Sequence, residues 1–263
     1  MIDTHVHLSS LAFEEDRDEV ITRAKDSGVT NFIDIGAGYG NDSPRRALEL
    51  AKKYPFIRAA VGVHPLDVSD ANHEANQVRD YLTTISEEPV VVGIGETGID
   101  TYRSTEYLNT QREWLEWHLY LSSKTKKPII IHSRGPGAGQ EALDFILSHN
   151  RNQVAVNGVF HCFGEDLDFA EKLFDIGFYI SIPGIVTFKK AIQLQTVVAG
   201  APLDKLLLET DAPFLAPEPN RGKRCESSFL KATATKIAQL KGITLEEVIK
   251  VSSESAVKLF SLK

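Results

Sequence analysis

Short apolar runs rich in β-branched residues alternate along the chain with longer segments whose apolar residues recur at three- and four-residue spacing. The first kind reads as a buried parallel strand and the second as an amphipathic crossover helix. Strands are predicted at 1–7, 30–36, 57–63, 90–96, 128–132, 154–161, 177–182 and 205–209. Helical spacing covers 14–27, 43–54, 71–86, 106–126, 138–149, 166–176 and 189–199, then 228–240, 245–251 and 253–262 after the last strand. Within 106–126, Leu115, Leu119 and Ser122 share a stripe that Trp114, Trp117 and Leu121 broaden. Eight strand-helix alternations in roughly 250 residues match a single (β/α)8 TIM barrel with extra C-terminal helices, one domain over 1–263. A doubly wound open sheet is the alternative, because periodicity gives strand number and not closure.

At 263 residues with 42% hydrophobic and 25% charged content, the chain can build a large core, which excludes disorder, collagen and a disulfide-dense miniature scaffold. The net charge of −7 has the wrong sign for a surface that clings everywhere to phosphate, so any nucleic-acid contact must be local. Only Cys162 and Cys225 are present, which excludes a cysteine-built metal site and suits a reducing compartment. The opening MIDTHVHL lacks the basic and apolar regions of a leader, and no apolar run is long enough to span a bilayer. A cytoplasmic protein without membrane association is expected, and no obligate protein partner is inferred.

Six residues of metal-ligand type stand at predicted strand ends. His5 and His7 flank Val6, and residues two apart in a strand face the same way, about 6.6 Å apart. Glu96 ends VVVGIGE, His132 ends PIIIH, His161 ends VAVNGVFH and Asp211 lies two residues past LLLE. A charged or imidazole group after a buried strand costs desolvation energy unless it is paired or ligates an ion. In a barrel all carboxyl strand ends converge on one rim. Four histidines and two carboxylates exceed the three protein ligands typical of one catalytic zinc, so two divalent ions are expected, with Glu96 as the bridge. Imidazole suits Zn or Mn and oxygen suits Mg, which leaves the identity of the ion open.

The segments DTHVHL, GVHP, GETGID, IHSR, HCFGE and ETDAPFLAPEPNRGKRCES, in this order, resemble the successive motifs of the TatD family of metal-dependent deoxyribonucleases, within the amidohydrolase-type barrels. The resemblance runs from Asp3 to Phe260. It implies a (β/α)8 barrel, divalent-metal hydrolysis of DNA phosphodiester bonds, and ligands at His5, His7, Glu96, His132, His161 and Asp211. It also places His64 of GVHP in the pocket, against a substrate phosphate. Cys225-Glu226-Ser227 stands where the family often has Asn-Glu-Pro, and Gly135-Pro136-Gly137 follows IHSR where an acidic residue is usual.

Asp211 and Glu96 are the expected catalytic carboxylates, Asp211 orienting water and taking its proton. His64, Arg134, Arg221 and Arg224 are the expected substrate contacts. The other reading of the loop cations is ordinary pairing, with Glu218 and Glu226 as the partners. Asp100 and Glu209 are less defined; Glu209 shares strand parity with Asp211 and either supports the site or pairs with an arginine behind it. The substrate expected is DNA, as single-stranded ends, with an exonuclease preferred. Two alternatives stay open: hydrolysis of a small amide, ester or phosphoester, and a non-catalytic metal or nucleic-acid binding scaffold.

Overall fold

Residues 1–262 are described by a computed structural model. All eight apolar runs contain a strand: β1 (Ile2–Val6), β2 (Asn31–Gly36), β3 (Ile57–Val61), β4 (Val91–Asp100), β5 (Ile129–Arg134), β6 (Gly158–Phe160), β7 (Tyr179–Ile182) and β8 (Leu206–Leu208). They form one sheet in chain order. The helices between them are α1 (Arg17–Asp26), α2 (Ser43–Lys53), α3 (Val68–His73), α4 (Ala75–Ser86), α5 (Leu108–Thr125), α6 (Ala138–Asn152), α7 (Leu167–Asp175) and α8 (Ile192–Gly200). After β8 come α9 (Leu230–Lys241) and α10 (Leu245–Phe260). Parallel strands in chain order, each followed by helix, make this the (β/α)8 barrel class that the alternation predicts.

The chain falls into two compact units, Met1–Asp34 with the chain from His161 onward, and Ile35–Phe160. In the first unit β1 pairs with the start of β2 (Ile2↔Asn31, Asp3↔Phe32) and β7 with β8 (Ile180↔Leu206, Ile182↔Leu208). The β1 and β8 segments stay tied beyond their ends, with Asp211 N–H donating to the His5 carbonyl at 2.9 Å and His7 N–H to the Ala212 carbonyl at 2.9 Å. Phe13, Phe32, Phe178 and Phe260 are buried in this unit. In the second unit β4 runs beside β5 from Ile94↔Ile129 to Asp100↔Arg134, over a core that includes Ile57, Leu82, Ile94 and Trp114. Each such side chain contributes roughly 1.5–3 kcal/mol on full burial.

Four elements depart from the pattern. β4 continues to Asp100, past the predicted strand end at Glu96, because its glycines permit close strand approach. At Gly98, φ +146°, a Cβ would lie 1.9 Å from the His132 carbonyl oxygen. β6 begins only at Gly158, although the apolar run starts at Val154, which is exposed. The segment 71–86 is broken at Glu74 into α3 and α4. The two C-terminal helices expected at 245–251 and 253–262 are one, α10, since Ser252 returns its hydroxyl to the Val248 carbonyl at 2.7 Å and so does not break it. Among the described residues no helix is long and apolar enough to cross a membrane.

Candidate metal centre

The first unit gathers His5, His7, His161, Glu209 and Asp211. His5 lies in β1 and His7 directly beyond it, while Glu209 and Asp211 follow β8. The β1–β8 hydrogen bonds beyond the strand ends bring Asp211 opposite the two histidines, with its backbone at φ +55° turning the chain there. Its Oδ1 lies 3.6 Å from His5 Nε2 and 3.5 Å from His7 Nε2. Ligand bonds of about 2.1 Å on a tetrahedral ion separate neighbouring donors by about 3.4 Å. Asp211 Oδ1 thus lies at ligand-to-ligand spacing from each of the two histidines, and within the same unit His5, His161 and Glu209 bring three donor atoms within 4.8 Å of one another. The His161 ring stacks on His5 with centroids 3.9 Å apart. Burial works to raise the proton affinity of Asp211, but the His7 hydrogen bond and the charges of His5, His161 and His7 outweigh it and hold the carboxyl below its ordinary value.

Glu209 is buried beside this group. One oxygen takes the Cys162 N–H at 2.7 Å, the other takes the Ser181 hydroxyl and lies 3.8 Å from His161 Nδ1. It thus faces the histidine cluster, the supporting option left open by its strand parity. Burial pushes it up to about 8, helped by Asp211 and opposed by His161 and its two hydrogen bonds. Two carboxylates that sequence reasoning passed over brace the same group. Asp3 accepts from Thr210 N–H at 3.0 Å and Thr210 Oγ1 at 2.6 Å, fixing the residue before Asp211, and burial raises it to about 6. Asp34 accepts from Ser9 N–H at 3.1 Å and fixes the turn after His7. Asp3 was detectable, since it shares strand parity with His5 and His7.

The second unit gathers His64, Glu96, Asp100 and His132. His132 Nδ1 lies 2.8 Å from Glu96 Oε1, and its Nε2 lies 3.2 Å from Asp100 Oδ2. A carboxylate on one imidazole nitrogen fixes the tautomer and aims the other nitrogen, which is how metal-binding histidines are commonly braced. Burial favours the protonated form of Asp100, yet the hydrogen bond and charge of His132, with Tyr102 N–H and Arg134, bring it below its ordinary value. His64 Nε2 is 3.5 Å from Glu96 Oε1, and its ring is 4.6 Å from that of His132. Its Nδ1 accepts the Leu66 N–H at 3.0 Å, so the ring's proton sits on Nε2. His64 is thereby a donor, as a phosphate contact requires. Ligation through Nε2 would need the Leu66 bond surrendered.

The expected cations divide. Arg134, at the end of β5, is exposed and lies 4.2 Å over the ring of Tyr102. Arg221 lies 4.3 Å over Phe188. Arg224, expected among the phosphate contacts, is instead bound to Asp16 at 2.5 and 2.9 Å, to the Ala12 carbonyl at 2.8 Å and, more loosely, to Glu226 at 3.5 Å. Its guanidinium is thus paired with two carboxylates, Glu226 among them as the ordinary-pairing alternative for the loop cations has it.

Parallel strands in the (β/α)8 arrangement, with clustered histidines and carboxylates at their carboxyl ends, define a metal-dependent hydrolase of the amidohydrolase-like kind. The family model described as "TatD related DNase" matches residues 2–261, and the chain belongs to that family. It is 36% identical to the uncharacterized metal-dependent hydrolase YabD of Bacillus subtilis strain 168, covering 100% of this chain and 99% of that one. It is 35% identical to the uncharacterized metal-dependent hydrolase YcfH of Escherichia coli K12, over 100% of this chain and 96% of that one. Among solved structures, YjjV, a TatD homologue from Escherichia coli K12, superimposes with a TM-score of 0.87 at 25% identity, over 100% of this chain and 98% of the other.

Proposed function

We propose that this hydrolase cleaves DNA phosphodiester bonds with two divalent ions, Mg, Mn or Zn, acting from single-stranded ends. The observation that carries the reading is the pair of donor sets, each joining imidazole to carboxylate at strand ends. His5, His7 and Asp211 would hold one ion, with His161 beside them, and Glu96 with His132 a second. Divalent ions polarise a phosphoryl oxygen and lower the pKa of water, which makes attack at neutral pH accessible. Asp211, ionised at neutral pH, orients the attacking water and accepts its proton. His64 donates its Nε2–H to a phosphoryl oxygen, and the Arg134 guanidinium holds the neighbouring phosphate. Arg221 supplies further positive charge along the strand's path. The reading draws on the barrel fold, in which all carboxyl strand ends open to one rim.

End-labelled single-stranded DNA incubated with metal-stripped protein, with Mg, Mn or Zn added back, tests this beside His132→Ala and Asp211→Asn. Metal-restored cleavage that both variants lose is the expected result, with a ladder shortening from one end. The commitment of Arg224 to Asp16 and Glu226 favours a second reading, a small phosphoester, ester or amide as substrate, because it removes a cation that a long polyanion would meet. Stoichiometric metal binding without DNA cleavage would establish that second reading over the first.

A further inference from the structure

Helix α5 carries polar residues on its buried face, among them Gln111 at 2% and His118 at 0% exposure. They stand seven residues apart, two helical turns, and so look out from the same side. His118 Nε2 accepts the N–H of Val63 at 3.1 Å, the residue directly before His64. Its Nδ1 lies 2.7 Å from the Trp114 carbonyl and 3.2 Å from Thr97 Oγ1, the residue directly after Glu96. A nitrogen that accepts an amide proton carries none itself, so the His118 proton is on Nδ1 and is shared between those two oxygens. Trp114, tilted with its centroid 5.7 Å away, and Trp117, edge-on at 4.9 Å, flank the fully buried ring, whose proton affinity burial lowers to about 4. Gln111 grips the main chain of Asp100 at two points, accepting its N–H at 3.0 Å and donating to its carbonyl at 3.2 Å. Asp100 in turn braces His132.

We infer that His118 and Gln111 are positioning residues for the second donor set: from one helix face they fix the backbone on which His64, Glu96 and Asp100 sit, and through Asp100 the ring of His132. Neither needs to touch substrate or ion. A buried amide proton or carbonyl is costly to leave unmade, and that cost locks each strand end against rotation. Thr97 and Arg79 also approach this face; the Arg79 guanidinium lies 4.9 Å over the Trp114 ring. The inference rests on the reading that His132 and Glu96 hold an ion.

The test is calorimetric titration of the metal-stripped full chain with Zn or Mn, beside thermal unfolding, for the parent and for His118→Leu, His118→Gln and Gln111→Met. The parent should bind two ions. His118→Leu and Gln111→Met should weaken one of them about 10- to 100-fold and leave the other unchanged, as loss of bracing partners around metal sites typically does. His118→Gln places an oxygen near the Nε2 position, keeps the acceptor for Val63 N–H, and should recover affinity to within about threefold of the parent. The untouched ion at His5, His7 and Asp211 reports that a variant has folded. Two ions at parental affinity in both His118→Leu and Gln111→Met would overturn the inference, as would an equal loss of both ions. A parent that binds no ion would overturn the metal reading itself, and the inference with it.

Discussion

Replacing Glu209 by Gln in the metal-free protein should change how stability depends on pH. The folded chain holds this carboxyl's proton up to about pH 8, against an ordinary value of 4.5. Between those limits the folded state binds a proton that the unfolded chain has released. Its contribution to stability is therefore fully present below about pH 4.5 and is lost as pH rises towards 8. The slope for one such group is about 1.4 kcal/mol per pH unit, which integrates to on the order of 4 kcal/mol over the interval. Gln cannot ionise, matches the shape and keeps an acceptor for the Cys162 amide. Urea unfolding in chelator, from about pH 5 to pH 8, measures both proteins. The difference between them cancels the titration of groups remote from Glu209, while His161, 3.8 Å away, titrates together with it and belongs to the measured effect. The variant should gain on the parent steadily as pH rises, by about 1 kcal/mol or more per unit. Parallel stability curves would refute the assignment of Glu209 as a protonated, buried acid.

His5→Ala and His132→Ala should each leave protein that retains one ion fewer than the parent, counted by elemental analysis after dialysis, since they belong to different donor sets. Gly98→Ala should destabilise by about 3 kcal/mol or more, because its Cβ meets the His132 carbonyl in a backbone conformation that alanine rarely adopts, and urea midpoints would show it. Arg134→Ala should lower kcat/KM on DNA at least about tenfold, whereas Arg224→Ala should leave it within about twofold and cost under about 1 kcal/mol of stability, as expected of a half-exposed ion pair. The reverse pattern would contradict the positions described for the two arginines. DNA affinity should fall steeply with added salt, and a flat salt dependence would favour the small-substrate reading.

What the chain reveals before folding follows from the range of the forces involved. Strand and helix order was legible because apolar periodicity is local, and the histidines at the strand ends were legible because imidazole at the end of an apolar run stands out. The continuation of β4 past Glu96 was hidden, since the apolar run ends there and only the neighbouring strand shows why Gly98 can carry no side chain. The fused helix α10 was hidden because Ser252 is a helix breaker only when its hydroxyl has no carbonyl to satisfy it. The pairing of Arg224 with Asp16 was hidden for a different reason: the two lie 208 residues apart in sequence, and charge alone does not name a distant partner. Nothing in the helical spacing of 106–126 marks His118 or Gln111, and only the strand ends they face set them apart.

The donor sets also differ in when they can exist. His64, Glu96, Asp100 and His132 fall within one stretch of 69 residues (132 − 64 + 1) inside the second unit. His5 and His7 instead wait for Asp211, and the buried bond from Thr210 to Asp3 closes a separation of 207 residues. On a ribosome the residues of the second set have all been made before His161 is added, whereas the first set lacks Asp211 until near the end of synthesis. An ion captured early would have one home available to it, so the order of translation itself would set the order of metal loading.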